Sequence, residues 1–158
     1  HFDAWDAASR GWFSGDTFGV SYREFDYAGG HYLMPTTTPV QFDPPAWDTS
    51  LDRLLAKTPA HVYLTHYGRI GDVQTLAHGL REDLAAYQRI AREHDGDTDR
   101  HARIATHLLD YHLWQLRQRH HPMPESRARE LLAIDIELNT QGLEVWLDRQ
   151  RETTGART

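Results

Sequence analysis

Gly11-Trp12-Phe13-Ser14-Gly15-Asp16-Thr17-Phe18-Gly19, residues 11–19, reads as a short apolar strand running into a Gly-Asp-Thr turn. Its counterpart further along is His61-Val62-Tyr63-Leu64-Thr65-His66-Tyr67-Gly68, a second strand that ends in Thr-His-Tyr-Gly. Two metal-capable side chains, Asp16 and His66, thus each follow a strand. A strand end is where a rigid sheet can present ligands to an open cleft. Both strands are followed by helical patterns, and strand–helix–strand–helix alternation predicts an α/β layered fold.

Working outward, Phe2–Trp5 reads as a strand joined to Gly11–Ser14 through the polar turn Asp6-Ala7-Ala8-Ser9-Arg10. Residues 19–43 are loop-rich, with Gly29-Gly30, Pro35, Thr36-Thr37-Thr38 and Pro39. A loop of that length in a compact domain is more often functional than not, so the stretch from Val20 to Phe42 is the expected substrate contact. Asp43-Pro44 opens a helix, with Asp43 as cap and Pro44 at the first helical position, and Trp47, Leu51, Leu54 and Leu55 follow at helical spacing. Thr58-Pro59 ends it. After the strand from His61, Gly71-Asp72 opens a second helix, in which Val73, Leu76, Ala77, Leu80, Leu84, Tyr87 and Ala91 keep the 3.6 period.

Beyond His94-Asp95-Gly96-Asp97 the character changes. Residues 98–120 and 125–150 read as two helices separated by Pro122 and Pro124, a helical hairpin packed on the sheet domain or on a partner chain. Gly142 interrupts the second of them at a propensity cost of about 1 kcal/mol. The expected organisation is therefore a sheet domain over 1–95, a helical extension over 98–150 and a flexible polar tail over 151–158.

Composition bounds the function. The 158 residues are enough for one domain with a real core, and 39% hydrophobic with 25% charged residues is a globular balance. A net charge of −6 argues against a nucleic-acid partner, which demands clustered Lys and Arg. The cluster Arg117, Arg119, His120 and His121 is too small to change that. No apolar run reaches the roughly 18 residues of a membrane helix. The absence of cysteine excludes disulfides, thiolate nucleophiles and Cys-ligated zinc, so a metal here must rely on His, Asp, Glu or water. The chain opens at His1 within a strand pattern and without an initiator Met, so it is expected to be the C-terminal part of something longer. The expected compartment is the cytoplasm.

The Gly-Asp-Thr turn and the Thr-His-Tyr-Gly turn, in that order and separated by a long loop and one helix, resemble the metallo-β-lactamase superfamily. The resemblance covers about residues 1–92. It implies part of an αββα sandwich, here followed by the helical hairpin. It implies that Asp16 bridges two divalent metal ions, zinc first and iron or manganese as alternatives, and that His66 ligates the second ion. The activity it implies is hydrolysis of an ester, thioester, lactone or related bond in a small molecule by metal-bound hydroxide. A carboxylate suits the bridging place because each oxygen binds one ion and its charge offsets the repulsion of two dications about 3.5–4 Å apart. The family's His-x-His-x-Asp-His segment does not occur in these residues, so the fragment alone is expected to be inactive. His1 precedes Asp16 in the right order but closer than the family places its ligand, and it reads as a neighbour of the site.

Each feature has a plainer reading. Asp16 after Gly can terminate a strand and cap a turn, and His66 can be a packed histidine bonded to a carbonyl. Tyr22 and Tyr67 are candidates to polarise a substrate oxygen, or aromatic packing beside the cleft. Thr37, with Thr36 and Thr38, either lines a substrate pocket or forms a polar bend. His101, His107 and His112 lie on one helix at spacings that cannot chelate, and are expected at the surface with His120 and His121. Two further readings stand beside hydrolysis: an iron-dependent redox enzyme on the same scaffold, or a metal-free interaction domain that forms a homo-oligomer through the C-terminal helices.

Overall fold

A computed structural model describes residues 3–37 and 42–155. It is mixed α/β, with four helices, a four-stranded mixed sheet and a two-stranded sheet among the described residues. None of its helices is long and apolar enough to cross a membrane. Two compact units are present. One is built from residues up to Thr36 and from Pro44–Leu84, the other from the segment that starts at Thr37 and from Ala85 onward.

The first unit contains the sheet. Strands β1 (Ala4–Asp6), β2 (Gly11–Ser14), β5 (His61–Leu64) and β6 (Gly68–Ile70) are ordered β1-β2-β5-β6. β1 is antiparallel to β2, β2 is parallel to β5, and β5 is antiparallel to β6. Parallel neighbours require a crossover, and helix α1 (Pro44–Leu55) lies on it, beginning at the proline whose fixed φ suits a first helical turn. Helix α2 (Val73–Glu93) follows β6. The alternation along the strands sorts the faces. Val62 and Leu64 of β5 and Ile70 of β6 join Leu51 and Leu54 of α1 and Val73, Ala77 and Leu80 of α2 in one buried cluster, with Trp12 packed against it. Trp12 Nε1 donates to the Leu54 carbonyl at 2.9 Å, so the partly buried indole has its hydrogen-bond partner. On the opposite face Phe13 stacks on Tyr63 at 4.6 Å, and Phe13 is 53% exposed.

Two parts of this unit differ from the sequence expectation. Strand β6 was hidden, because the Thr-His-Tyr-Gly turn reads as the end of a strand rather than as a hairpin. The hairpin closes only because Tyr67 and Gly68 both take left-handed backbone, φ 72° and 90°. The stretch from residue 19 is also more ordered than a loop. It forms β3 (Val20–Ser21) and β4 (Leu33–Met34), paired antiparallel, with Phe25, Tyr32, Leu33 and Met34 buried. Residues 38–41, within the expected substrate loop, lie outside the described residues, as do His1 and Phe2.

The second unit is helical. It takes the end of α2 from Ala85, α3 (Arg100–Gln118) and α4 (Glu125–Gly155). α3 and α4 run antiparallel: Arg100 at the start of α3 reaches Glu144 and Asp148, while Arg117 at its end lies 3.9 Å from Glu125. Ile104, Leu108, Leu113 and Leu116 are buried on α3, and Leu132, Ile136, Leu143, Trp146 and Leu147 on α4. α4 continues past Arg151 to Gly155, so the first residues of the expected tail are helical. Gly142 does not break α4. Its missing side chain admits the Thr37 carbonyl, which a Cβ would meet at 1.5 Å.

Of the α3 histidines expected at the surface, His107 is exposed and His101 partly so, but His112 is not. His112 is fully buried and hydrogen-bonded through Nε2 to the Tyr87 hydroxyl. Burial drives its pKa down to about 3, so the ring is neutral and its Nε2 can accept a hydrogen bond from the Tyr87 hydroxyl. His107 Nδ1 lies 2.6 Å from Nε2 of the buried His94, whose other nitrogen contacts Asp97 at 2.8 Å. His101 stands between two glutamates of α4.

Candidate functional site

The site is set by register. In the β2–β5 pair Gly11 faces His61 and Ser14 faces Leu64, so both strands end at the same level and run in the same direction. Asp16 comes two residues after Ser14, and His66 two residues after Leu64. Equal offsets from a parallel register bring both to one edge of the sheet, where Asp16 Oδ1 and His66 Nε2 are 3.9 Å apart.

Local structure holds Asp16 firmly. Residues Asp16–Phe18 form one 3-10 turn, closed by the Gly19 amide donating to the Asp16 carbonyl at 2.9 Å. The Thr36 hydroxyl donates to the same carbonyl at 3.1 Å, and the Gly15 amide donates to Asp3 Oδ1 at 3.2 Å. Phe18, fully buried, anchors the turn in the core. Gly19 is required: its φ is 73°, and a Cβ would stand 2.3 Å from the Met34 carbonyl oxygen. On the other strand Thr65 Oγ1 donates to the Ser14 carbonyl at 3.0 Å, tying the two strand ends together. Of these supports Gly15, Phe18, Gly19 and Thr65 sit inside the two quoted stretches, residues 11–19 and 61–68. Asp3 and Thr36 are recruited from elsewhere in the chain, and residue type alone gave no signal for that.

His66 is the open member, with 57% of its side chain exposed against 23% for Asp16. It lies in the β5–β6 turn ahead of Tyr67, whose positive φ is uncommon for a bulky residue; such strain persists where surrounding structure imposes it and clusters at functional sites. Tyr67 and Tyr22 pack with ring centroids 4.8 Å apart, and Tyr22 also meets Phe25 edge-on at 6.0 Å. The aromatic-packing reading of both tyrosines is therefore realised in geometry. A cavity of about 380 Å³ opens beside the strand ends, lined by Ala4, Phe13, Tyr63 and Leu64 and by Ser14, Gly15 and Thr65. Ser14 Oγ is buried with no hydrogen-bond partner among the described residues.

Thr37, the candidate pocket residue, is buried. It belongs to the helical unit, is 1% exposed, and both its amide and its hydroxyl are bonded to Asn139. His1 lies outside the described residues.

The donor chemistry suits a divalent cation: one carboxylate and one imidazole, oxygen and nitrogen, on adjacent rigid strand ends. Two ligands of one tetrahedral ion at about 2.1 Å stand about 3.4 Å apart, against the observed 3.9 Å. Among the described residues no group of three or more His, Cys, Asp or Glu is placed to hold a metal ion. Comparisons with family models, with curated proteins and with solved structures found no match to this chain.

Proposed function

We propose that this chain carries part of the metal site of a hydrolase of the metallo-β-lactamase type, with Asp16 as the bridging carboxylate and His66 as a ligand to the second ion. The observation that carries the reading is the approach of Asp16 and His66 to 3.9 Å from parallel strands of matched register. The order of the two turns along the sequence adds to it. The fold that belongs with this reading is the C-terminal half of an αββα sandwich. A sheet with helices packed on one face and a half-exposed Phe13 on the other supports that assignment.

Bound divalent ions supply the Lewis acidity that activates water and polarises a scissile carbonyl or phosphoryl oxygen. The chain's own part is positional. The 3-10 turn, the Thr36 and Gly19 bonds to the Asp16 carbonyl and the buried Phe18 fix the carboxylate. Thr65 fixes the strand end that bears His66. The substrate on this reading is a small molecule with an ester, thioester, lactone or related bond. The remaining ligands belong to a His-x-His-x-Asp-His segment that this sequence does not contain.

The test is metal binding. Protein purified without added metal is analysed for zinc, iron and manganese, then titrated with Zn²⁺ as wild type, Asp16→Asn and His66→Gln. Each substitution is expected to weaken binding by tenfold or more, about 1.4 kcal/mol. In a form that also carries the His-x-His-x-Asp-His segment, each should abolish hydrolysis of an activated ester. Unchanged affinity in both variants would remove the proposal, and iron as the resident metal would move the chemistry from hydrolysis to redox.

A further inference from the structure

Helix α3 presents one imidazole to two carboxylates of α4. His101 Nδ1 lies 2.8 Å from Glu144 Oε2, and Nε2 lies 3.1 Å from Glu137 Oε2. Residues 137 and 144 sit two helical turns apart on one side of α4, so they bracket a single side chain of the neighbouring helix. An ionised carboxylate only accepts hydrogen bonds, so both ring nitrogens have to donate. Only the imidazolium carries two N–H groups. A neutral ring would set a lone pair against carboxylate oxygen at one of the two contacts.

The surrounding charges act in the same direction. α4 contributes Glu137, Glu144 and Asp148, and the connection between α2 and α3 contributes Asp95. Against these four carboxylates stand two guanidiniums. Arg100, next to His101 on α3, donates to Glu144 Oε1 at 3.2 Å and to Asp148 at 2.8 Å, and Arg151 pairs with Asp95 at 2.8 Å. The excess of negative charge favours one more proton at this place. The Glu144 hydrogen bond, with a smaller one from Glu137, holds the His101 pKa above the ordinary histidine value. Glu137 is held below the ordinary carboxylate value by hydrogen bonds from Gln141 and then from His101.

We propose that His101 is a pH-dependent clasp between α3 and α4: as imidazolium it bridges Glu137 and Glu144, and on losing one proton it releases one of them. A pKa raised by folding gives a contribution that is complete below the unfolded value, about 6.5, and is lost as pH rises through the higher folded value. Arg100 does not titrate in that range, so it keeps the helices joined while His101 sets how tightly. With 43% of the His101 side chain exposed, the clasp tunes the hairpin and does not create it.

The experiment follows the ring resonances of His101 by NMR from about pH 5 to about pH 9 in wild type, Glu137→Gln and Glu144→Gln. The ordinary histidine value, about 6.5, serves as reference. The His101 midpoint is expected above that value, with both ring nitrogens protonated at the acid end, and lowered by about half a pH unit or more in each variant. Amide exchange around residue 101 should quicken above the midpoint. A His101 midpoint at or below the ordinary histidine value, or one unmoved by both substitutions, overturns the proposal. Glu144 also serves Arg100, so should Glu144→Gln fail to fold, the half-exposed Glu137→Gln decides alone.

Discussion

Alanine in place of Gly142 should destabilise this protein, although the same change elsewhere in a helix stabilises. In an ordinary helix interior Gly→Ala gains about 1 kcal/mol. At Gly142 the new Cβ would stand 1.5 Å from the Thr37 carbonyl oxygen and 2.6 Å from its carbonyl carbon. These are backbone atoms, so no side-chain rotation relieves the clash. Thr37 must withdraw by about 2 Å to reach van der Waals distance, yet Asn139 holds it. Its amide donates to Asn139 Oδ1 at 2.7 Å, and its hydroxyl donates to the Asn139 carbonyl at 2.8 Å. Both residues are buried, and each lost bond costs about 1–2 kcal/mol with partners left unsatisfied. Two such losses, against about 1 kcal/mol gained in propensity, leave a net loss of about 2 kcal/mol. Gly79 of α2 supplies the control, because a Cβ there meets nothing within 4 Å. Urea unfolding followed by far-UV circular dichroism should place the midpoint of Gly142→Ala below wild type and that of Gly79→Ala at or above it, with similar slopes. A Gly142→Ala variant as stable as wild type would refute the reasoning.

Two other outcomes follow from the packing. Gly19→Ala forces a left-handed alanine against the Met34 carbonyl at 2.3 Å and should cost about 2 kcal/mol or more, visible as a lowered thermal midpoint; an unchanged midpoint would show that the β3–β4 pair yields freely. His112 makes the protein acid-sensitive. Its folded pKa of about 3 lies below the unfolded value near 6.5, so the unfolded chain takes up the proton first. Stability should then fall by up to about 1.4 kcal/mol per pH unit as pH drops from about 6.5 toward 3. Denaturant titrations at several pH values on wild type and Tyr87→Phe check this, and an NMR midpoint for His112 near the ordinary histidine value in the folded protein would contradict it.

The local signals in the chain were reliable where local physics sets the outcome. Pro44 starts α1, the apolar period of 73–91 becomes α2, and the strands at Gly11 and His61 stand where alternation and turn residues put them. Asp16 and His66 were legible as strand-end residues for the same reason. Their separation was not legible, because it depends on β2 and β5 being neighbours, parallel and in matched register. Strand β6 escaped notice because Tyr67 takes a backbone conformation that tyrosine rarely adopts. His112 passed for a surface residue because helical spacing places it near polar neighbours, whereas the face it lies on is buried against Tyr87. The two readings of Thr37, pocket lining or polar bend, stayed open because nothing near it in sequence announces Asn139.

Residue order alone determined the α/β alternation, the exclusion of thiol chemistry and the two side chains worth testing as ligands. Those depend on turn propensity, periodicity and composition, which act over a few neighbouring residues. Tertiary structure decided that Asp16 and His66 meet, that Gly142 is a backbone crossing and not a weak point, and that one imidazole stands between Glu137 and Glu144. Each of these joins residues dozens of positions apart, where only packing and register, summed over the whole fold, select the partner.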